Sequence, residues 1–171
     1  IKNEGIALFE LIQNSYDADA TECEVNLSYL DSEMLGEIVV EDNGVGMSFD
    51  TIRDVWLQPG NTHKKKQVDE EKMTKLGRLP IGEKGIGRFG IHKLGKEIEI
   101  ITRSKGNLEV YFKIDWSKFD SNQFLDEIPI TIEEREPQKF INSTGTRIQI
   151  RNIEQWNKRK FRETYRQIVS L

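Results

Sequence analysis

One stretch of two-residue alternation constrains the fold more than anything else in the chain. Leu108, Val110, Phe112 and Ile114 are each separated by a single residue. That period belongs to a strand with one buried face. Glu97 to Arg103 just upstream is strand-like as well, and Ser104-Lys105-Gly106-Asn107 between the two runs reads as a hairpin turn. Further strands are predicted at Cys23, Val25, Leu27 and Tyr29, which alternate, at the β-branched run Glu37 to Glu41, and at Thr146, Ile148 and Ile150. Helical spacing predicts a first helix near 4 to 18, where Leu8, Leu11, Ile12, Ser15 and Ala18 recur and Phe9 and Tyr16 widen the arc. A short helix capped by Ser48 holds Ile52, Val55 and Trp56. Another runs from about Ile86 to Lys93 and stops at Gly95 in the position of a C-terminal glycine. An amphipathic helix closes the chain through Phe161, Tyr165, Ile168 and Val169. Strand pairs interspersed with a few helices predict the α+β class, as a two-layer sandwich of a mixed, mostly antiparallel sheet with helices on one face.

The 171 residues suit one domain over 1–171, and the uncapped opening helix leads us to expect a longer parent protein. Between Gln58 and Pro80 the chain is polar, lysine-rich and broken by Pro and Gly, so 58–84 is expected to be a lid over a ligand. Charged residues make up 32% and no apolar run nears the roughly 18 residues of a membrane span, which argues against a membrane partner. A lone cysteine, Cys23, excludes an internal disulfide and a cysteine-built zinc site and fits a reducing cytoplasm. The net charge of −4 argues against the whole domain wrapping nucleic acid; Lys64-Lys65-Lys66 and Lys158-Arg159-Lys160 read as solvated faces.

Three segments carry chemistry. Glu10, Asn14 and Asp17 stand at i, i+4 and i+7, so they project from one side of the first helix, opposite its apolar arc. Any amphipathic helix has such a wet stripe; it becomes a site only beneath a pocket. Asp42-Asn43-Gly44-Val45-Gly46-Met47 follows a strand, and is either a strand-ending turn or a place where backbone approaches a ligand. An ionised carboxylate there could accept from an exocyclic amine, selecting adenine over guanine. Gly82-Glu83-Lys84-Gly85-Ile86-Gly87-Arg88-Phe89-Gly90 offers unobstructed amides where a helix begins, a recipe for binding phosphate, with a flexible lid anchor as the alternative. Its second half spells the dinucleotide fingerprint, but Gly77-Arg78-Leu79-Pro80 is a poor strand to precede one. No Walker motif occurs, which excludes ordinary P-loop chemistry.

Together, Glu10-Leu11-Ile12-Gln13-Asn14-Ser15-Tyr16-Asp17-Ala18-Asp19-Ala20, Asp42-x-Gly44-x-Gly46-Met47, Gly82-x-x-Gly85-x-Gly87 and Gly145-Thr146-Arg147-Ile148 resemble, in order, the four motifs of the GHKL ATPases (gyrase B, the heat-shock chaperone, histidine kinases, MutL). The wording is closest to the MutL and MORC branches. The resemblance implies a Bergerat-type ATP-binding fold, with Asn14 on the Mg²⁺ that bridges the ATP phosphates and Glu10 orienting or deprotonating the attacking water. It implies that Asp42 binds the adenine amine with help from Thr146, and that Gly44 and Gly46, followed by Met47, let the ligand approach. Gly82, Gly85, Ile86 and Gly87 would face the phosphates, Lys84 would add a phosphate contact, Thr62 and Lys64 match lid positions of MutL-like members, and Asp17 supports. Lid closure driving homodimerisation is the implied output, with DNA among the candidate clients. Two alternatives are a sensor that binds ATP without hydrolysing it, and phosphotransfer to histidine. Neither His63 nor His92 sits on a recognisable phosphoacceptor helix.

Overall fold

The structure, a computed structural model, describes residues 4–29, 35–56, 73–81, 91–118, 130–153 and 158–169. In chain order the elements are helix α1 (Glu4–Asp17), strands β1 (Cys23–Tyr29) and β2 (Leu35–Asp42), and a short helix α2 (Phe49–Thr51) widening into a π turn over Ile52–Trp56. A 3₁₀ turn at Ile91–Lys93 precedes β3 (Glu97–Arg103) and β4 (Glu109–Asp115); a second 3₁₀ turn (Trp116–Lys118), β5 (Ile132–Arg135), β6 (Gly145–Arg151) and α3 (Lys158–Val169) complete the order. The six strands form one sheet, ordered β1-β2-β6-β3-β4-β5, and every neighbouring pair is antiparallel.

Register explains where the core lies. Leu27, Ile38, Ile150, Ile98 and Ile114 are cross-strand partners in one row, and Val25, Val40, Ile148, Ile100 and Phe112 in the next. Because successive residues of a strand alternate faces, both rows lie on one face of the sheet. That face forms a single buried cluster with Ala7, Leu8 and Leu11 of α1. Each fully buried Leu, Ile or Phe stabilises by about 1.5–3 kcal/mol, so this seam holds α1 on the sheet. The opposite face is charged and paired, with Glu37 to Arg151 at 2.9 Å, Glu41 to Arg147 at 2.8 Å and Glu97 to Lys113 at 2.7 Å. The layer expectation is met: helix on one side, wet sheet on the other.

Ser48 caps α2, its hydroxyl accepting from the Thr51 amide as its residue type predicts. Several details depart from the sequence reading. Strand β5 carried no alternation strong enough to be read. Gly95 does not end a helix in the left-handed conformation; a Cβ there would stand 2.4 Å from the Arg151 carbonyl oxygen, so its small size lets the turn pass the end of β6. Tyr16 points outward beneath the Arg78 guanidinium, 4.6 Å from its ring centre. In α3, Tyr165 and Val169 are exposed while Thr164 is buried. Of the helix expected over 86–93, residues 86–90 lie outside the described residues, as do the side chains of Val55 and Trp56. Among the described residues no helix is long and apolar enough to cross a membrane.

Candidate functional site

The apolar face ends in a polar row. One step beyond Val40, Ile148 and Ile100 come Asp42, Thr146 and Thr102, direct partners across β2, β6 and β3 and all buried. Three polar side chains in line on a face otherwise made of Ile and Val must be satisfied by one another, by the turns around them or by a ligand.

Asp42 is 9% exposed. Ser15 donates its hydroxyl to Oδ2 at 2.9 Å, and the Gly44 amide donates to Oδ1 at 2.9 Å. Burial pushes the carboxyl above its ordinary range, and the amides of Gly44 and Thr146 and the Ser15 hydroxyl only partly hold it down. An ionised carboxylate has about four acceptor positions; the two donors Ser15 and Gly44 leave capacity for an incoming N–H.

The turn after Asp42 is built tightly. Gly46 has φ of 65°, and a Cβ there would lie 1.9 Å from the Arg103 carbonyl oxygen. At Gly44 a Cβ would come within 2.6 Å of the Ala18 carbonyl oxygen. Both glycines thus admit neighbouring backbone. The Val45 amide bonds to the Ala18 carbonyl at 2.8 Å, and with the Ser15 to Asp42 bond this ties the second half of α1 to the turn. Thr144 donates to the Gly44 carbonyl at 2.7 Å from the other side, while the Met47 amide donates to Thr102 at 2.9 Å.

Glu10 and Asn14 are half-buried on this same helix, Asn14 one residue before Ser15. Asp17 has an identifiable partner: its Oδ1 accepts from the Ile81 amide at 2.9 Å. Arg78 donates to the carbonyls of Tyr16 at 3.1 Å and Ala20 at 2.8 Å, and Asp19 accepts from the Leu76 amide at 3.3 Å. The C-terminal part of the expected lid, 73–81, is thus bound to the end of α1. Thr62, Lys64, Gly82, Lys84, Gly85, Ile86 and Gly87 lie outside the described residues, as does the rest of 58–84. No cluster of three or more His, Cys, Asp or Glu that could hold a metal ion occurs among the described residues. Magnesium that keeps its waters and leans on phosphate oxygens needs no such cluster, so a single asparagine oxygen is compatible with it.

The sequence reading missed Ser15, Thr102, Asn43 and Arg78. Ser15 did carry a signal, a hydroxyl on the apolar arc of α1, which must find a partner when buried. Asn43 accepts from the amides of Thr21 at 2.8 Å and Glu22 at 3.0 Å, fastening the start of β1 to the end of β2. Thr102 was hidden inside a strand run.

Residues 3–146 match the family model described as histidine kinase-, DNA gyrase B- and HSP90-like ATPase. A putative type II restriction enzyme, HgiDII, of Herpetosiphon aurantiacus is 34% identical over 97 residues, which is 57% of this chain and 14% of that protein's length. Fold, buried acceptor and family match together define an ATP-binding domain of the ATPase type. The chain belongs to the histidine kinase-, DNA gyrase B- and HSP90-like ATPase family, whose members generally hydrolyse ATP and usually bind it with Mg²⁺.

Proposed function

We propose that the chain is a single ATP-binding domain that hydrolyses magnesium ATP, and that closure of the 58–84 lid and association of two copies are its output. The observation that carries this is the polar row at the end of the apolar sheet face: a buried Asp42 with acceptor capacity to spare, bonded to Ser15 of α1, the helix that also bears Glu10 and Asn14.

Bound magnesium ATP supplies the electrophilic γ-phosphorus; all else falls to side chains and amides of the chain. Asp42 accepts the exocyclic amine of adenine, and Thr146 adds a hydroxyl beside it. Asn14 offers one amide oxygen to the ion. Glu10, one helical turn earlier, orients the attacking water and takes its proton, so catalysis rests on positioning and electrostatics. Gly82, Gly85, Ile86 and Gly87 give amides to the phosphates, Lys84, Lys64 and Thr62 reach them from the lid, and Gly44, Gly46 and Met47 shape the floor. Asp17, through the Ile81 amide, anchors the lid at its C-terminal end. A lone cysteine suits work in a reducing cytoplasm. The HgiDII likeness favours DNA as the client.

Phosphate release by the wild type and by Glu10→Ala tests the reading. Loss of turnover with ATP binding retained supports it. Turnover unchanged by the substitution removes Glu10 from catalysis, and binding without turnover in the wild type leaves a sensor.

A further inference from the structure

Thr102 is 0% exposed, yet it carries a hydroxyl on a face where its own strand otherwise presents Ile98 and Ile100. Its Oγ1 meets three groups. The Met47 amide donates to it at 2.9 Å, the Gly145 carbonyl oxygen stands 3.0 Å away, and so does Thr146 Oγ1. Elimination places the protons. A carbonyl oxygen only accepts, so the single Thr102 proton goes to Gly145. Two oxygens 3.0 Å apart with no proton between them repel, so the remaining contact takes its proton from Thr146. Thr146 is therefore a donor toward the interior, and only lone pairs remain on its outward side. Asp42, its partner across β2 and β6, is likewise acceptor-only when ionised.

We propose that Thr102 is a positioning residue that sets base specificity. By taking the Thr146 proton it holds Thr146 as an acceptor beside Asp42, so the pair admits a purine with an exocyclic amine and rejects one with a carbonyl at that position. The inference rests on the ATP-binding reading above and deepens it. Thr102 acts through Thr146. Once its hydroxyl is gone, the Thr146 proton is free to turn outward and serve a carbonyl.

Calorimetric dissociation constants for ADP and IDP, whose bases exchange a 6-amine for a 6-carbonyl and an N1 acceptor for an N1–H donor, test the proposal without turnover. The wild type should prefer ADP. Thr102→Val should lower that preference about tenfold, the scale of one hydrogen bond, and Thr102→Ser should restore it. In a Thr146→Val background, Thr102→Val should change the preference no further, which a merely structural role would not predict. Equal weakening of both nucleotides by Thr102→Val, or a further change in the Thr146→Val background, overturns the inference. If the valine variant does not fold, Thr102→Cys retains most of the side chain with a poor hydrogen-bonding group; an intermediate preference supports the idea and an unchanged one overturns it. A wild type that binds neither ADP nor IDP overturns the nucleotide reading itself.

Discussion

Replacing Asp42 by Asn separates folding from function at the buried carboxylate. The amide has nearly the same shape, its oxygen can still accept from Gly44, and its NH₂ can turn to Ser15, whose hydroxyl has the Leu11 carbonyl as another acceptor at 3.4 Å. Burial has raised the Asp42 pKa, so between the unfolded and folded values the folded state binds more protons. Stability from this group is thus present at low pH and falls as pH rises through that window, leaving the ionised group a net cost at neutral pH. Asp42→Asn should leave the unliganded melting temperature unchanged or higher and flatten that pH dependence. Binding should respond in the opposite sense. A charge-assisted hydrogen bond contributes about 1.5–3 kcal/mol, so ATP should bind about 10–150 times more weakly. With ligand at about 100 times the wild-type dissociation constant, the wild type gains about 2.7 kcal/mol, whereas a variant weakened about a hundredfold gains only about 0.4. For a chain of this size that is a ligand-induced rise of about 5–11 °C against about 1 °C. Thermal melts with and without a non-hydrolysable ATP analogue and Mg²⁺ read both effects. A full ligand-induced rise in Asp42→Asn, or an unliganded melting point lower by more than about 10 °C, refutes the reasoning.

Other perturbations follow the same geometry. Gly46→Ala meets both a left-handed backbone and the Arg103 carbonyl, and should cost more than about 3 kcal/mol. At Gly77, with φ of 75° and nothing within 4 Å of a new Cβ, alanine should cost only about 1–2, as denaturant melts would register. Glu109 is fully buried; burial pushes its pKa up, but the Phe140 and Lys139 amides and the Arg135 guanidinium outweigh that and hold it below the ordinary range. Its stabilisation is therefore present above the unfolded value and lost as pH falls; Glu109→Ala should cost about 3–5 kcal/mol and weaken the acid dependence of the melt. Arg78→Ala removes the bonds to the Tyr16 and Ala20 carbonyls, and faster hydrogen exchange at the Ile81 and Leu76 amides, by about tenfold, is the expected readout.

Much of this molecule was legible as a string of residues. Alternation over Val110 to Ile114 and the Ser104 to Asn107 turn yielded the central hairpin, although Leu108, read into the same buried face, precedes β4 and is exposed, and 3.6-residue spacing yielded α1, because both signals are complete within a few neighbouring residues. Asp42, Gly44 and Gly46 stood out because residue type and spacing are local too. What Gly44 and Gly46 admit was not legible: it is the backbone of Ala18 and Arg103, in other elements. Nor was the partner of Asp17, because the Ile81 amide is 64 residues away.

The sequence by itself determined which faces are apolar, where strands alternate and which residues could do chemistry. Only the tertiary structure decided that Asp42, Thr146 and Thr102 share one row, that Ser15 serves Asp42 across 27 residues, and that Thr102 reaches Met47 across 55. The reason is register. A slip of one residue in any of those pairings would turn a strand's side chains to the other face, so the row exists only once all the strands have settled together on the apolar seam.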